Sequence, residues 1–283
     1  MPHPKIRSIL VPTDFSDASV VAFSHALRLS IALRAELDVF HVEPKNDTAD
    51  WHWAPGVIET LIRWGDLPAG ATAADLAELG VRARRTMVSG ISPDQAIFQE
   101  MANSHADLVV LSTHGRTGVQ RWLQPSVATP VAVKGATLVL LLPPGVEGFV
   151  RRNTGLAGIQ KVLVPVDRVP HPAPAFDAAR ILLEALPGEH VELATLHVGP
   201  GAAETDLLRV PPGWEVHHWR EEGAPVDRIL ARAESWQPDL IVMVTEGRTN
   251  WLDGLRGSTV ERVLAREPKC PVLIVPAEWT GDV

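Results

Sequence analysis

Short runs that are apolar at nearly every position alternate along this chain with segments whose apolar residues recur every three or four positions, and the whole pattern occurs twice. Residues 6–11 read as a first strand, and Val20, Phe23, Leu27 and Ile31 then mark one face of a helix that packs on a sheet. Residues 36–42 form the second strand, 81–88 a short third, 107–111 the fourth and 137–142 the fifth. Ser92-Pro93-Asp94-Gln95 has the form of a capping box with proline at the first helical position, which predicts a helix with Ile97 and Met101 inward. A further helix is expected from Ser126.

The second half repeats this order. Residues 162–166 are strand-like, and Phe176, Ala179, Leu183 and Leu186 share a helix face that Pro187-Gly188 ends. Strands follow at 191–198 and, edge-like, at 215–219; Gly223-Ala224-Pro225-Val226-Asp227 opens a helix; 271–275 is the last strand. Five strands alternating with four helices in each half imply right-handed crossovers and a doubly wound α/β parallel sheet, made twice. The Pro143-Pro144-Gly145 stop begins a linker, so the expected domains are 1–145 and 159–283, joined by 146–158. The fifth strands, 137–142 and 271–275, are apolar throughout and would be sheet edges, so they invite mutual pairing about an approximate two-fold.

The candidate chemistry lies in a stretch that is also duplicated, 107–126 and 239–258. Each copy has an acidic residue, a β-branched and leucine-rich strand, a Gly-Arg-Thr turn, a loop with tryptophan and leucine, and a serine that opens a helix. Unpaired main-chain N–H groups at a helix start suit a phosphate, and glycine lets the backbone approach it. In a doubly wound sheet, ligands bind beyond the carboxyl ends of the strands where the order reverses. Asp14 and the Gly115 loop, or Asp167 and the Gly247 loop, would meet there. The first half is longer because of a segment before Gly80 that carries Trp51, Trp53 and Trp64, which read as packing or contact residues.

Composition narrows the function classes. The 283 residues suffice for two ordinary cores, and a formal net charge of −8 argues against broad binding to nucleic acid or to an anionic membrane. The longest apolar runs fall far short of the roughly 20 residues a membrane helix needs. The N-terminal residues pass into the first strand without a signal-peptide core, so a cytoplasmic protein is expected. The single cysteine, Cys270, reads as a buried structural thiol.

Val11-Pro12-Thr13-Asp14, Ser112-Thr113-His114-Gly115-Arg116-Thr117-Gly118, and Arg256-Gly257-Ser258-Thr259 with the later Cys270-Pro271-Val272-Leu273-Ile274-Val275-Pro276 together resemble the universal stress protein family in its tandem form. The resemblance covers nearly the whole chain. It implies two tandem Rossmann-like domains and, in one branch of the family, ATP binding, with Mg2+ as the nucleotide's companion. That branch has glycine, two residues, glycine, nine residues, glycine, then serine or threonine; another branch lacks the glycines and does not bind ATP. The second half matches at Gly247, Gly257 and Ser258 but has Val244 at the first glycine and Glu246, a charge that opposes phosphate, beside the second. The resemblance gives Asp167, after Pro165 and Val166, the adenine amino group. Val198 would make a main-chain contact to the base, and Gly247, Arg248, Gly257, Ser258 and Thr259 would hold ribose and phosphates. The first half's counterpart is Pro12, Thr13, Asp14, Val42, Ser112, Gly115, Arg116, Ser126 and Val127. It is degraded, because Ser112 and Pro125 replace glycines and proline has no N–H to offer.

Plainer readings stand beside these. Asp14 and Asp167 could cap the helices that follow them, and Arg116 and Arg248 could be solvated. His41 and His197 read as packed, hydrogen-bonded residues, while His217-His218 has no partner cluster in the sequence, so no metal site and no catalytic residue are expected. No hydrolase triad and no P-loop lysine motif is present. Three functions stay open: a nucleotide-binding switch, an interaction protein of the same fold, and an enzyme, at most a slow ATPase. Self-association through the fifth strands is expected within the chain, and a homodimer is left open.

Overall fold

The computed structural model describes residues 6–43, 56–112, 137–201, 210–246 and 258–280. The helix expected from Ser126, together with Trp51 and Trp53, lies outside them. The first half runs β1 (Ser8–Thr13), α1 (Asp17–Leu33), β2 (Glu36–Glu43), α2 (Val57–Trp64), α3 (Ala73–Glu78), β3 (Arg82–Ser89), α4 (Pro93–Ser104), β4 (Leu108–Ser112) and β5 (Leu138–Leu142). The second runs β6 (Ile159–Val166), α5 (Ala173–Ala185), β7 (Pro187–Val198), β8 (Glu215–Glu221), α6 (Pro225–Trp236), β9 (Leu240–Thr245), α7 (Thr259–Leu264) and β10 (Val272–Pro276). Among the described residues no helix is long and apolar enough to cross a membrane.

All ten strands form one sheet in the order β3-β2-β1-β4-β5-β10-β9-β6-β7-β8. The expected pairing of the fifth strands is its centre: β10 runs antiparallel to β5 with Leu273 opposite Leu140, whereas the other pairs are parallel. Every residue of both central strands is buried, which is why their sequences do not alternate. Leu138, Leu140, Leu142, Leu273 and Val275 join a core with residues of α1, α2 and α5. Val139, Leu141, Val272 and Ile274 face the opposite core, with residues of α4, α6 and α7. The acidic residue that begins each repeat has a structural role. Asp107 Oδ2 accepts from the N–H groups of Arg7 and Ser8 at 2.8 and 3.0 Å, and Asp239 Oδ2 accepts from Gln160 and Lys161 at 2.8 and 2.9 Å.

Several elements differ from expectation. β3 is as long as the expected run 81–88 and is shifted by one residue, to Arg82–Ser89. β7 begins at Pro187, next to Ile159 across a shifted register; an added Cβ on Gly188 would sit 2.2 Å from Gln160 Cγ, so this close approach needs glycine. Ser92 is the N-cap of α4, but its side chain makes no capping hydrogen bond. Residues 57–78 hold two helices that the tryptophan-bearing segment did not suggest. α3 is opened by a true capping box, in which Asp75 Oδ2 accepts from Thr72 N–H at 2.7 Å and Thr72 Oγ1 accepts from Ala74 N–H at 3.3 Å.

The linker is a packed strap, with Phe149 and Val150 buried. Trp64 donates its indole N–H to Arg152 O at 2.9 Å and lies 4.8 Å under the Arg28 guanidinium. His25, on α1, faces the strap from below. Its Nδ1 is 2.9 Å from the Val21 carbonyl and so carries the proton, leaving Nε2 to accept from Val150 N–H at 3.2 Å. Burial pushes the His25 pKa down to about 4, partly offset by the Val21 bond. The folded value lies below the ordinary 6.5, so the unfolded chain binds the extra proton first, and stability falls as pH drops from 6.5 towards 4. The loss should reach about 2 kcal/mol at pH 5, at about 1.4 kcal/mol per pH unit. Urea titrations over this window check it: His25→Gln should flatten this part of the slope, and an unchanged slope would assign it to other groups.

Candidate functional site

In the second half the order reverses between β6 and β9, and a cleft of about 570 Å³ opens at their carboxyl ends. Its lining includes Pro165, Val166, Asp167, Val198, Ser258 and Thr259, which are all six of the described residues singled out for this half. Gly247, Arg248 and Gly257 lie outside the described residues. Leu196, Ile229 and Met243 give the cleft an apolar wall, and Thr245, the last residue of β9, and Glu246 after it add polar groups. This mixture, largely apolar with a few converging polar groups, suits a small planar ligand with a polar tail. Val244 also lines the cleft and is half-buried.

Asp167 does not cap a helix, since the N-cap position of α5 is Pro172. The Asp167 carboxylate is exposed and takes the Arg168 N–H at 2.7 Å on Oδ1. Ser258 is the N-cap of α7: its Oγ accepts from Glu261 N–H at 3.1 Å, so this hydroxyl already serves the helix start. His197 is packed, as expected, and it also has a positioning role. Its Nδ1 donates to Val166 O at 3.2 Å, tying the exit of β6 to β7 just where Asp167 and Val198 emerge.

The first half reproduces this framework and fills it differently. Pro12 and Thr13 end β1 and Asp14 follows them, Val42 lies near the end of β2 and Ser112 ends β4. Gly115, Arg116, Ser126 and Val127 fall outside the described residues. His41 Nδ1 donates to Thr13 O at 2.8 Å, the counterpart of the His197 bond. Asp14 is not the cap of α1 either. Ser16 is, and Asp14 Oδ1 accepts from the Ser16 hydroxyl at 2.6 Å and from its N–H at 3.1 Å. Phe15, at a left-handed φ of 61°, lays its ring 4.4 Å from that of His41. The carboxylate is therefore engaged in its own turn, with an aromatic ring beside it. Arg168 occupies the position after Asp167 in the second half.

Two further residues depart from the sequence reading. His218 Nδ1 meets Thr195 Oγ1 at 2.9 Å, and His217, expected to lack a partner cluster, has carboxylates of Glu192 and Glu215 at 3.1 and 3.5 Å. The pairing register that brings them together is not visible in their spacing. Cys270 is a buried thiol, as expected, pushed up to about 12 mainly by burial and secondarily by Asp239.

Fold and cleft thus define a doubly wound α/β protein with a cleft at its switch point. The model of the universal stress protein family matches residues 5–143 and 202–276, and the chain belongs to that family. A universal stress protein of Methanocaldococcus jannaschii is 30% identical over 141 residues, 48% of this chain and 81% of its own. The crystal structure of a universal stress protein from Archaeoglobus fulgidus matches 95% of this chain and 98% of its own, at a TM-score of 0.61 and 22% identity. A functionally unknown protein of Pseudomonas aeruginosa matches 96% and 93% at a TM-score of 0.60 and 17% identity. These two structures extend the likeness in fold across both halves.

Proposed function

We propose that the cleft of the second half binds an adenine nucleotide, ATP with Mg2+, and that the protein acts as a binder or switch rather than as a turnover enzyme. The convergence of Asp167, Val198, Ser258 and Thr259 on one cleft is the observation that carries this reading. Asp167 would accept from the adenine amino group, and the Val198 main chain would hold the ring edge against Leu196, Ile229 and Met243. Ser258 and Thr259, with Gly247, Arg248 and Gly257, would hold the ribose and phosphates. Mg2+ would be carried by the nucleotide's own phosphate oxygens: of the cleft carboxylates among the described residues, Asp167 is assigned to the adenine and Glu246 is a charge that repels phosphate. The reading extends to the two halves as separate α/β domains, 1–145 and 159–283, with the second favoured for the ligand.

Efficient phosphoryl transfer needs several charges fixed around the γ-phosphate and a positioned water. The described cleft offers Glu246 and no lysine, so turnover is expected to be slower than about 1 per second. Calorimetry with ATP on the full chain tests the binding. Asp167→Ala should weaken it at least about ten-fold, the worth of a lost charge-assisted hydrogen bond, while Asp14→Ala leaves it unchanged. Glu246→Gln should bind equally or more tightly. Absence of binding at millimolar ATP, or equal loss in both aspartate variants, would sink the proposal.

A further inference from the structure

A second cluster lies far from the cleft, on the two outermost strands of the second half. His190 and Glu192 are two residues apart on β7, and Glu215 and His217 are two apart on β8, so each pair shares one face of its strand. The parallel register sets Glu192 beside Glu215 and so brings the pairs together. Ligand atoms of Glu192, Glu215 and His217 all lie within 4.8 Å of one another. His217 Nε2 is 3.1 Å from Glu192 Oε2 and 3.5 Å from Glu215 Oε1, and His190 Nε2 is 3.2 Å from Glu215 Oε2.

These separations have a geometric meaning. Ligands held tetrahedrally at 2.0–2.2 Å from a zinc ion stand about 3.3–3.6 Å apart. An imidazole N–H donates one proton in one direction, so a single hydrogen bond does not account for two carboxylates from two strands converging on one nitrogen. The ring is also held in place: it stacks on Trp219 at 5.6 Å and 11°, and Trp236 meets its edge at 6.2 Å. Such packing fixes where Nε2 points, as the surroundings of a metal ligand do. Lys161 Nζ, 3.8 Å from Glu192 Oε1, is the cation nearest the paired carboxylates.

We propose that Glu192, Glu215 and His217 form a three-ligand site for a divalent transition-metal ion of the zinc class, with His190 holding the other oxygen of Glu215. One imidazole and two carboxylates without a thiolate suit zinc and its neighbours, and the imidazole disfavours magnesium and calcium. Glu192 lies on β7 before Val198, on the order of 20 Å away along an extended strand, so this site is separate from any magnesium carried with nucleotide. A bound ion would clamp the edge strand β8 to β7.

Titration of the full chain with Zn2+, followed by calorimetry and by thermal unfolding, tests the site. One Zn2+ per chain is expected, with a raised unfolding temperature. His217→Ala and Glu215→Gln should each lower affinity at least ten-fold, and Glu215→Gln, at a half-exposed side chain, should leave the fold intact. Lys161→Gln should raise affinity by removing the competing cation, and His105→Ala should change nothing. Co2+ in place of Zn2+ should give the visible absorption of a tetrahedral site. No binding at 100 µM Zn2+ (about −5.5 kcal/mol), or binding that survives both His217→Ala and Glu215→Gln, would overturn the proposal and leave the cluster as imidazole–carboxylate hydrogen bonds.

Discussion

Gly148→Ala is expected to destabilise the protein by about 3–6 kcal/mol, an unusually large effect for one methyl group. Gly148 has a φ of +76°, and a Cβ there would lie 2.4 Å from His25 Nε2 and 2.8 Å from its Cε1. A left-handed non-glycine residue costs about 1–2 kcal/mol and overpacking about 1–3 kcal/mol. The ring cannot easily swing aside, because Val21 holds one nitrogen and Val150 the other. Moving it would break the bond to Val150, for about another 1 kcal/mol. Gly145 in the same strap is the control: its φ is +69°, but nothing lies within 4 Å of its added Cβ. Gly145→Ala should therefore show the strain alone. Chemical denaturation compares the two, and equal losses would mean that His25 yields freely.

Leu140→Ala at the central seam should cost about 2–5 kcal/mol, the usual range for a leucine truncated in a closed core. Leu140 and Leu273 are opposite one another across β5 and β10, both fully buried, and both belong to the core shared by α1 and α5. Truncating either leaves a cavity that the other lines. The double variant should thus depart from additivity by about 0.5–3 kcal/mol. Because the sheet is continuous there, the loss should lower the unfolding midpoint of both halves together. If one half unfolded early and the other at its original midpoint, the seam would be a mere contact between independent units.

How much of this was legible in the sequence depended on whether a signal was local. The central strands could be read because residues 138–142 and 271–275 are apolar at each position, the mark of a strand covered on both faces. The helices α2 and α3 were missed because Gly65 and Pro68 interrupt the periodicity between them, although Thr72 and Asp75 spelled a capping box. At the cleft, chain order placed Asp167, Val198, Ser258 and Thr259 at strand exits and a helix start, which topology alone then brought together. Capping by Asp14 and Asp167 was the wrong alternative. The turns after β1 and β6 are longer than a single cap needs, so Ser16 and Pro172 take that position. The cluster around His217 depends on the register between β7 and β8, which spacing along the chain does not reveal.

The antiparallel seam joins two halves within one polypeptide, and this changes what selection could do with each of them. In a symmetric pair of identical chains, any substitution appears on both sides of the interface and in both clefts. Here the partner is supplied in cis at a fixed local concentration, so the seam forms without depending on how much protein is present. Each half is also free to change alone. One could set Phe15 against His41 and draw its aspartate into a turn while the other kept an open cleft, which amounts to a division of labour written into a single reading frame.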